Sequence, residues 1–154
     1  MSPRLEYAKV SPDAMHAVLS LERYFQSGKS SLETRLVDLV KLRASQINGC
    51  AYCVHMHTKE ARQRGESEER LYLLSAWHES PLYTARERAA LAWTEAVTLV
   101  AESRVPDDVY EEARQHFSET ELVNLTVAVA AINAWNRLAI SFRAVHPTAA
   151  AQTA

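Results

Sequence analysis

The stretch Asn48-Gly49-Cys50-Ala51-Tyr52-Cys53-Val54-His55-Met56-His57 holds both cysteines of the chain, and its first residues stop one helix where the next begins. Asn and Gly suit the left-handed position that ends a helix, so Cys50 falls at the start of the following one. Residues three and four apart on a helix are neighbours. Cys50, Cys53 and His57 therefore stack on a single face, and two thiols and a base share one surface. A thiol near a helix start or beside a protonated imidazole loses its proton more readily, and the thiolate is the form that attacks a disulfide or a peroxide.

The pattern on either side of this stretch is helical. Before it, a helix is expected from about Ser31 to Ile47, with Leu32, Leu36, Leu39, Val40 and Ile47 along one stripe. The cysteine helix runs from about Cys50 to Arg64 and ends at Gly65. Upstream, a first helix spans about Pro12 to Tyr24, with Met15, Val18 and Leu19 inward and Leu21 off the stripe. Downstream, Ser67 caps a short fourth helix carrying Leu71, Leu74 and Trp77, closed by Ser80 and Pro81. A fifth follows from about Ala85 to Ala101 with Ala90, Trp93, Val97 and Val100 on one face, and a sixth from about Asp107 to Phe117. The seventh, about Glu119 to Val145, is apolar around most of its circumference, which fits a helix enclosed within the domain or between subunits. Ser30 with Glu33, Thr84 with Glu87 and Ser118 with Glu121 match the reciprocal capping box. The apolar residues recur at three and four rather than two, and only 3 glycines are present for hairpin turns,. The expectation is an all-α bundle of about six to seven helices forming one domain over residues 1–147, with a mobile tail over 148–154.

Composition narrows the function. The 154 residues are 47% apolar and carry 17 basic against 19 acidic side chains, which predicts one globular core and no electrostatic footprint for nucleic acid or anionic membrane. The longest unbroken apolar run, Val127 to Ile132, falls far short of the roughly 20 residues of a membrane span. Arg4, Glu6 and Lys9 near the N-terminus do not read as a secretory signal, so a cytoplasmic location is expected. In a reducing compartment a lone cysteine pair points to catalysis or metal binding rather than to a structural disulfide.

A C-x-x-C pair serves both zinc binding and thiol–disulfide exchange. A structural zinc would need His57 and one further ligand from His55, His78, His116 or a carboxylate. His57, one turn beyond Cys53, is placed either as a base for a nucleophilic thiol or as an ordinary satisfied histidine. His55 points away from the cysteine face, toward solvent. Asp38 is a candidate acid in the preceding helix, and Arg35 and Lys41 three residues to either side equally allow an exposed ion pair. No Gly-rich phosphate loop, Ser/His/Asp grouping or carboxylate metal cluster is present, so no bound cofactor or metal is expected.

The run Leu39 to Cys53, followed by His57 and Lys59-Glu60-Ala61-Arg62, resembles the AhpD-like branch of the carboxymuconolactone decarboxylase family. The likeness extends through Ala76-Trp77, Arg86 to Thr94, and Asn133 to Leu138. It implies an all-helical fold assembled as trimers or hexamers and an alkylhydroperoxidase activity, with a peroxide as substrate and a lipoyl or thioredoxin-like dithiol as electron donor. By the same resemblance Cys53 is the peroxidatic thiol, Cys50 the resolving thiol, and His57 part of a proton relay with an acid twelve residues before the first cysteine, here Asp38. The family pattern has glutamate at that position, and alkylhydroperoxidase D has histidine where this chain has Tyr52. Helix-end electrostatics taken alone favour Cys50 as the more acidic thiol. Two other functions stay open: a redox- or zinc-responsive regulator, and the decarboxylase-type lyase chemistry of the wider family.

Overall fold

A computed structural model describes residues 2–147, so the tail expected at 148–154 lies outside the described residues. Those residues form α1 (Tyr7–Val10), α2 (Pro12–Gln26), α3 (Thr34–Ile47), α4 (Ala51–Gln63), α5 (Glu68–Leu73), α6 (Ala85–Thr98), α7 (Val100–Ser103), α8 (Asp107–His116) and α9 (Glu119–Ser141), with a 3₁₀ turn at Leu74–Ala76 and no strand. Seven of these nine helices are the expected ones. The other two, α1 and α7, are single turns too short to show a periodicity. Leu99 breaks the expected fifth helix into α6 and α7.

The helix starts test the capping signals individually. Thr84 with Glu87 and Ser118 with Glu121 close complete capping boxes, and the Ser67 hydroxyl accepts from the Arg70 N–H. The box expected at Ser30 and Glu33 does not form: α3 begins at Thr34 with Glu33 as its cap residue and no side-chain bond there. Ser30 accepts instead from the Leu32 N–H, and the Glu33 carboxylate pairs with Arg86 at 3.1 Å. At the other end α9 stops at Ser141, short of the expected Val145. Arg143, at φ 53°, turns the chain there.

The most enclosed helix is α3, not the last. Residues 36–42 of α3 are all buried, because α4, α6 and α9 pack around it. By contrast α9 leaves Val123 63% and Ile140 46% exposed. Its length and apolar content alone would reach across a bilayer, yet half of its most apolar window is buried inside the protein,. Leu19 of α2 is also corrected: it is exposed, while Leu21, expected off the stripe, is half-buried.

Three groups of buried side chains hold the bundle. Leu36, Val40, Trp93, Phe117, Leu125 and Val129 join α3 and α6 to α8 and α9. Leu39, Leu42, Leu71, Leu74, Trp77 and Leu91 join α3 and α6 to the segment after α4. The third group packs Ala44 of α3 and Ile132 and Ala139 of α9 against Cys50 and Cys53. The cysteines are thus part of the seam where α3, α4 and α9 meet.

Candidate active site

The turn between α3 and α4 positions the thiols. Asn48 is the last α3 cap residue and Gly49 follows at φ 66°, a left-handed conformation that glycine adopts without a Cβ penalty. The Gly49 N–H donates to the Gln46 carbonyl at 3.1 Å and the Cys50 N–H to the Ser45 carbonyl at 3.0 Å. That pair of bonds is a Schellman motif. Cys50 completes it and at once serves as the N-cap of α4, where its carbonyl accepts from the Val54 N–H at 2.9 Å.

Both thiols are free and buried, and they titrate as a pair. The Cys50 pKa is lowered to about 6, first by the hydrogen bond from the Cys53 thiol, then, against burial, by the Cys53 N–H, the Asn136 amide and the Tyr52 N–H. Cys53 is pushed up by its bond to Cys50, by burial and by the negative charge that Cys50 takes. One proton shared between two sulfurs describes this state. Helix-end electrostatics favoured the same order, since Cys50 stands at the positive end of α4.

A cavity of about 600 Å³ opens beside the pair, lined by α2, α3, α4, α9 and Tyr7 of α1. Cys53 lines it and Cys50 does not. His57, Asp38, Glu60 and Arg64 line the same space, so the structure gathers Cys53, His57 and Asp38 around one cavity. The His57 Nδ1 lies 3.1 Å from Glu60 Oε2, and its Nε2 is buried with no partner among the described residues. Glu60 is lowered in pKa, chiefly by that histidine bond. Asp38 accepts from Arg64 at 2.6 Å through Oδ1, while Oδ2 is buried and unpartnered among the described residues. Burial raises the Asp38 pKa, Arg64 opposes this, and the Glu60 charge adds to the rise.

The ion pairing allowed for Asp38 in the sequence does not form. Arg35 reaches Glu66 at 3.4 Å, and Lys41 pairs with Glu22 of α2. Enclosure of α3 turns Asp38 into the cavity instead, where Arg64 at the end of α4 meets it. His55 lies off the cysteine face, stacked on His146 with ring centroids 4.8 Å apart, and is half-buried rather than solvated.

Sequence reasoning missed four residues here, one of them Arg64, which holds Asp38 from the end of α4. Glu60, the carboxylate that holds His57, follows it by three positions, a helical pairing that the spacing could have shown. Tyr7 reaches the cavity from a one-turn helix far from the motif, and its ring packs on Phe142 with centroids 5.6 Å apart. Asn136 lies on α9, and nothing local to its sequence links it to the cysteines. Among the described residues, no group of three or more His, Cys, Asp or Glu side chains is arranged to hold a metal ion.

Residues 12–96 match the family model described as Carboxymuconolactone decarboxylase family. The chain belongs to that family. Among its relatives, the uncharacterised protein YdfG of Bacillus subtilis (strain 168) is 41% identical over 141 residues, covering 92% of this chain and 95% of YdfG. A crystal structure from Agrobacterium tumefaciens, of a protein of unknown function described as a candidate antioxidant defence protein AhpD, superposes with a TM-score of 0.92 at 55% identity and covers 96% of this chain and 99% of that one. The debrominase Bmp8 shares the fold at a TM-score of 0.81 and 21% identity, covering 94% of this chain and 76% of its own. This member of the carboxymuconolactone decarboxylase family thus has the AhpD-like helical fold.

Proposed function

We propose that the chain is a thiol-dependent peroxidase of the alkylhydroperoxidase type, with Cys53 as peroxidatic and Cys50 as resolving thiol. The observation that carries this reading is the disposition of the pair: two free, buried thiols packed in one group, of which Cys53 faces a cavity shared with His57. The cavity volume of about 600 Å³ lies within the range of small-molecule sites and suits an organic hydroperoxide. The family likeness to a candidate antioxidant protein supports the same class.

In the first step the shared proton settles on Cys50, leaving Cys53 as the thiolate. Cys53 attacks the peroxide oxygen, an S–O bond forms, the O–O bond breaks, and the alkoxide leaves with the electron pair and takes the shared proton to become an alcohol. Cys50, again a thiolate, then attacks the Cys53 sulfenic acid. The S–S bond forms, the S–O bond breaks, and hydroxide leaves as water with a proton delivered through His57. Glu60 keeps a proton on His57 Nδ1, so that Nε2 exchanges protons with the cavity, and Asp38 serves as the further acid of the relay. An external dithiol of lipoyl or thioredoxin type reduces the disulfide by two exchange steps. Assembly as a homo-oligomer, trimer or hexamer, belongs to the same proposal and would cover the apolar surface that α9 leaves open at Val123 and Ile140.

Intact-mass analysis after one equivalent of cumene hydroperoxide tests the reaction. The parent chain should lose two hydrogens, Cys50→Ser should gain one oxygen, and Cys53→Ser should do neither. Undiminished peroxide consumption by the doubly substituted Cys50→Ser, Cys53→Ser protein would overturn it, and turnover of a lactone acid by that protein would assign the lyase chemistry instead.

A further inference from the structure

Asn136 is fully buried on α9 between Ile132 and Ala139, two members of the buried group that includes both cysteines. Its orientation follows from a chain of donors and acceptors anchored on the backbone. Asn133 Nδ2 donates to the Val129 carbonyl at 2.9 Å and to the Thr98 hydroxyl at 3.1 Å, and a carbonyl can only accept. The Asn133 Oδ1 therefore faces the other way, where it accepts from Arg137 at 2.9 Å and from Asn48 Nδ2 at 3.0 Å. The same Asn48 Nδ2 donates to Asn136 Oδ1 at 2.8 Å. The Asn136 amide is thereby fixed with its oxygen toward Asn48 and its nitrogen toward Ser45.

That nitrogen carries two hydrogens. One goes to the Ser45 hydroxyl at 3.1 Å, whose own hydrogen goes to the Lys41 carbonyl at 2.8 Å. The second finds no oxygen among the described residues, and Cys50 and Cys53 lie in the same seam between α9 and the α3–α4 turn. The amide's lowering effect on both thiols agrees with this placement.

We propose that Asn136 is the positioning residue of the cysteine pair: it offers a fixed N–H donor to the sulfurs and so stabilises the thiolate that the pair carries, with Asn48 orienting it for that task. The turn that places Cys50 thus also aims the donor at it. Tyr7 of α1 and Tyr52 and His57 of α4 are the titratable groups near the pair. The other packed elements, α3 and α9, meet it with Ala44, the Ser45 backbone and Asn136, none of which titrates. The inference rests on the pair functioning as a thiolate, but it concerns the reduced protein before any peroxide arrives.

The test is ultraviolet thiolate absorbance of the reduced protein as a function of pH, a readout independent of peroxide turnover. Asn136→Leu keeps the volume and removes the donor. Its first thiolate midpoint should rise by about one unit above the parent value of about 6, so that the thiolate fraction near the parent midpoint falls about fivefold. Asn48→Ala leaves the amide in place but unlatched, and its midpoint should rise by less. Thr98→Val breaks the same polar network away from the sulfurs and should leave the midpoint at the parent value. Where Asn136→Leu lacks native circular dichroism, the Asn48→Ala midpoint decides in its place. An unchanged midpoint in the natively folded variant that decides, or an equal rise in Thr98→Val, overturns the proposal, and peroxidase activity in the parent is irrelevant to either result.

Discussion

At the residue scale the protein turns on which sulfur ionises and which one meets the cavity. Cys50 takes the negative charge because it caps α4 and receives the Cys53 proton in a hydrogen bond, and Cys53 meets the cavity. The split gives each thiol a different task, and it ties folding stability to pH. In the unfolded chain Cys50 keeps its proton up to its ordinary value of 9.0, whereas in the folded protein it gives the proton up at about 6. Between those values the unfolded state binds more protons, so the stability of the reduced protein rises with pH across that window and is lost as pH falls through about 6,. Urea denaturation of reduced protein at a series of pH values should show this rise, and Cys50→Ser should abolish it. The sequence placed His57 near the thiols by spacing alone, but the carboxylate that orients it is Glu60, while Asp38 is held by Arg64.

At the scale of elements, one turn carries the architecture of the site. Ser45, Gln46, Gly49 and Cys50 close the end of α3, and the same cysteine opens α4. Gly49 has no neighbour within 4 Å of an added Cβ, so a side chain there would meet open space but a backbone conformation that L-residues adopt only at a cost. Gly49→Ala should therefore destabilise by about 1–2 kcal/mol through conformation alone, read as a lowered thermal midpoint. It should also raise the Cys50 pKa, because a shifted turn moves the sulfur off the start of α4. Capping signals were legible at Thr84 and Ser118, where the glutamate closes the box even while Arg70 or Arg86 also engages it. They misled at Ser30, because α3 begins at Thr34 and Glu33 stands at the cap position itself rather than three residues into the helix.

At the scale of the whole molecule, α3 is the post around which α4, α6 and α9 are arranged. Leu39 is fully enclosed there, and Leu39→Ala should cost about 2–5 kcal/mol, the usual range for an aliphatic side chain deleted from a core that relaxes only in part. The urea midpoint measures that loss. Enclosure also explains why the apolar pattern undervalues α3: its polar Asp38, Lys41 and Ser45 interrupt the stripe, yet each is buried, Asp38 and Lys41 by ion pairs and Ser45 by hydrogen bonds. The helical class, the seven main helices and the stop at Gly49 were all legible in the order of residues. These features depend on contacts three or four residues apart and on the backbone freedom of single residues. That Cys53 faces the cavity, that Arg64 holds Asp38, and that Tyr7 and Asn136 join the site emerged only once the chain was folded. Those outcomes depend on how α1, α2 and α9 pack against α3 and α4 from distant parts of the chain, and no local spacing encodes that packing.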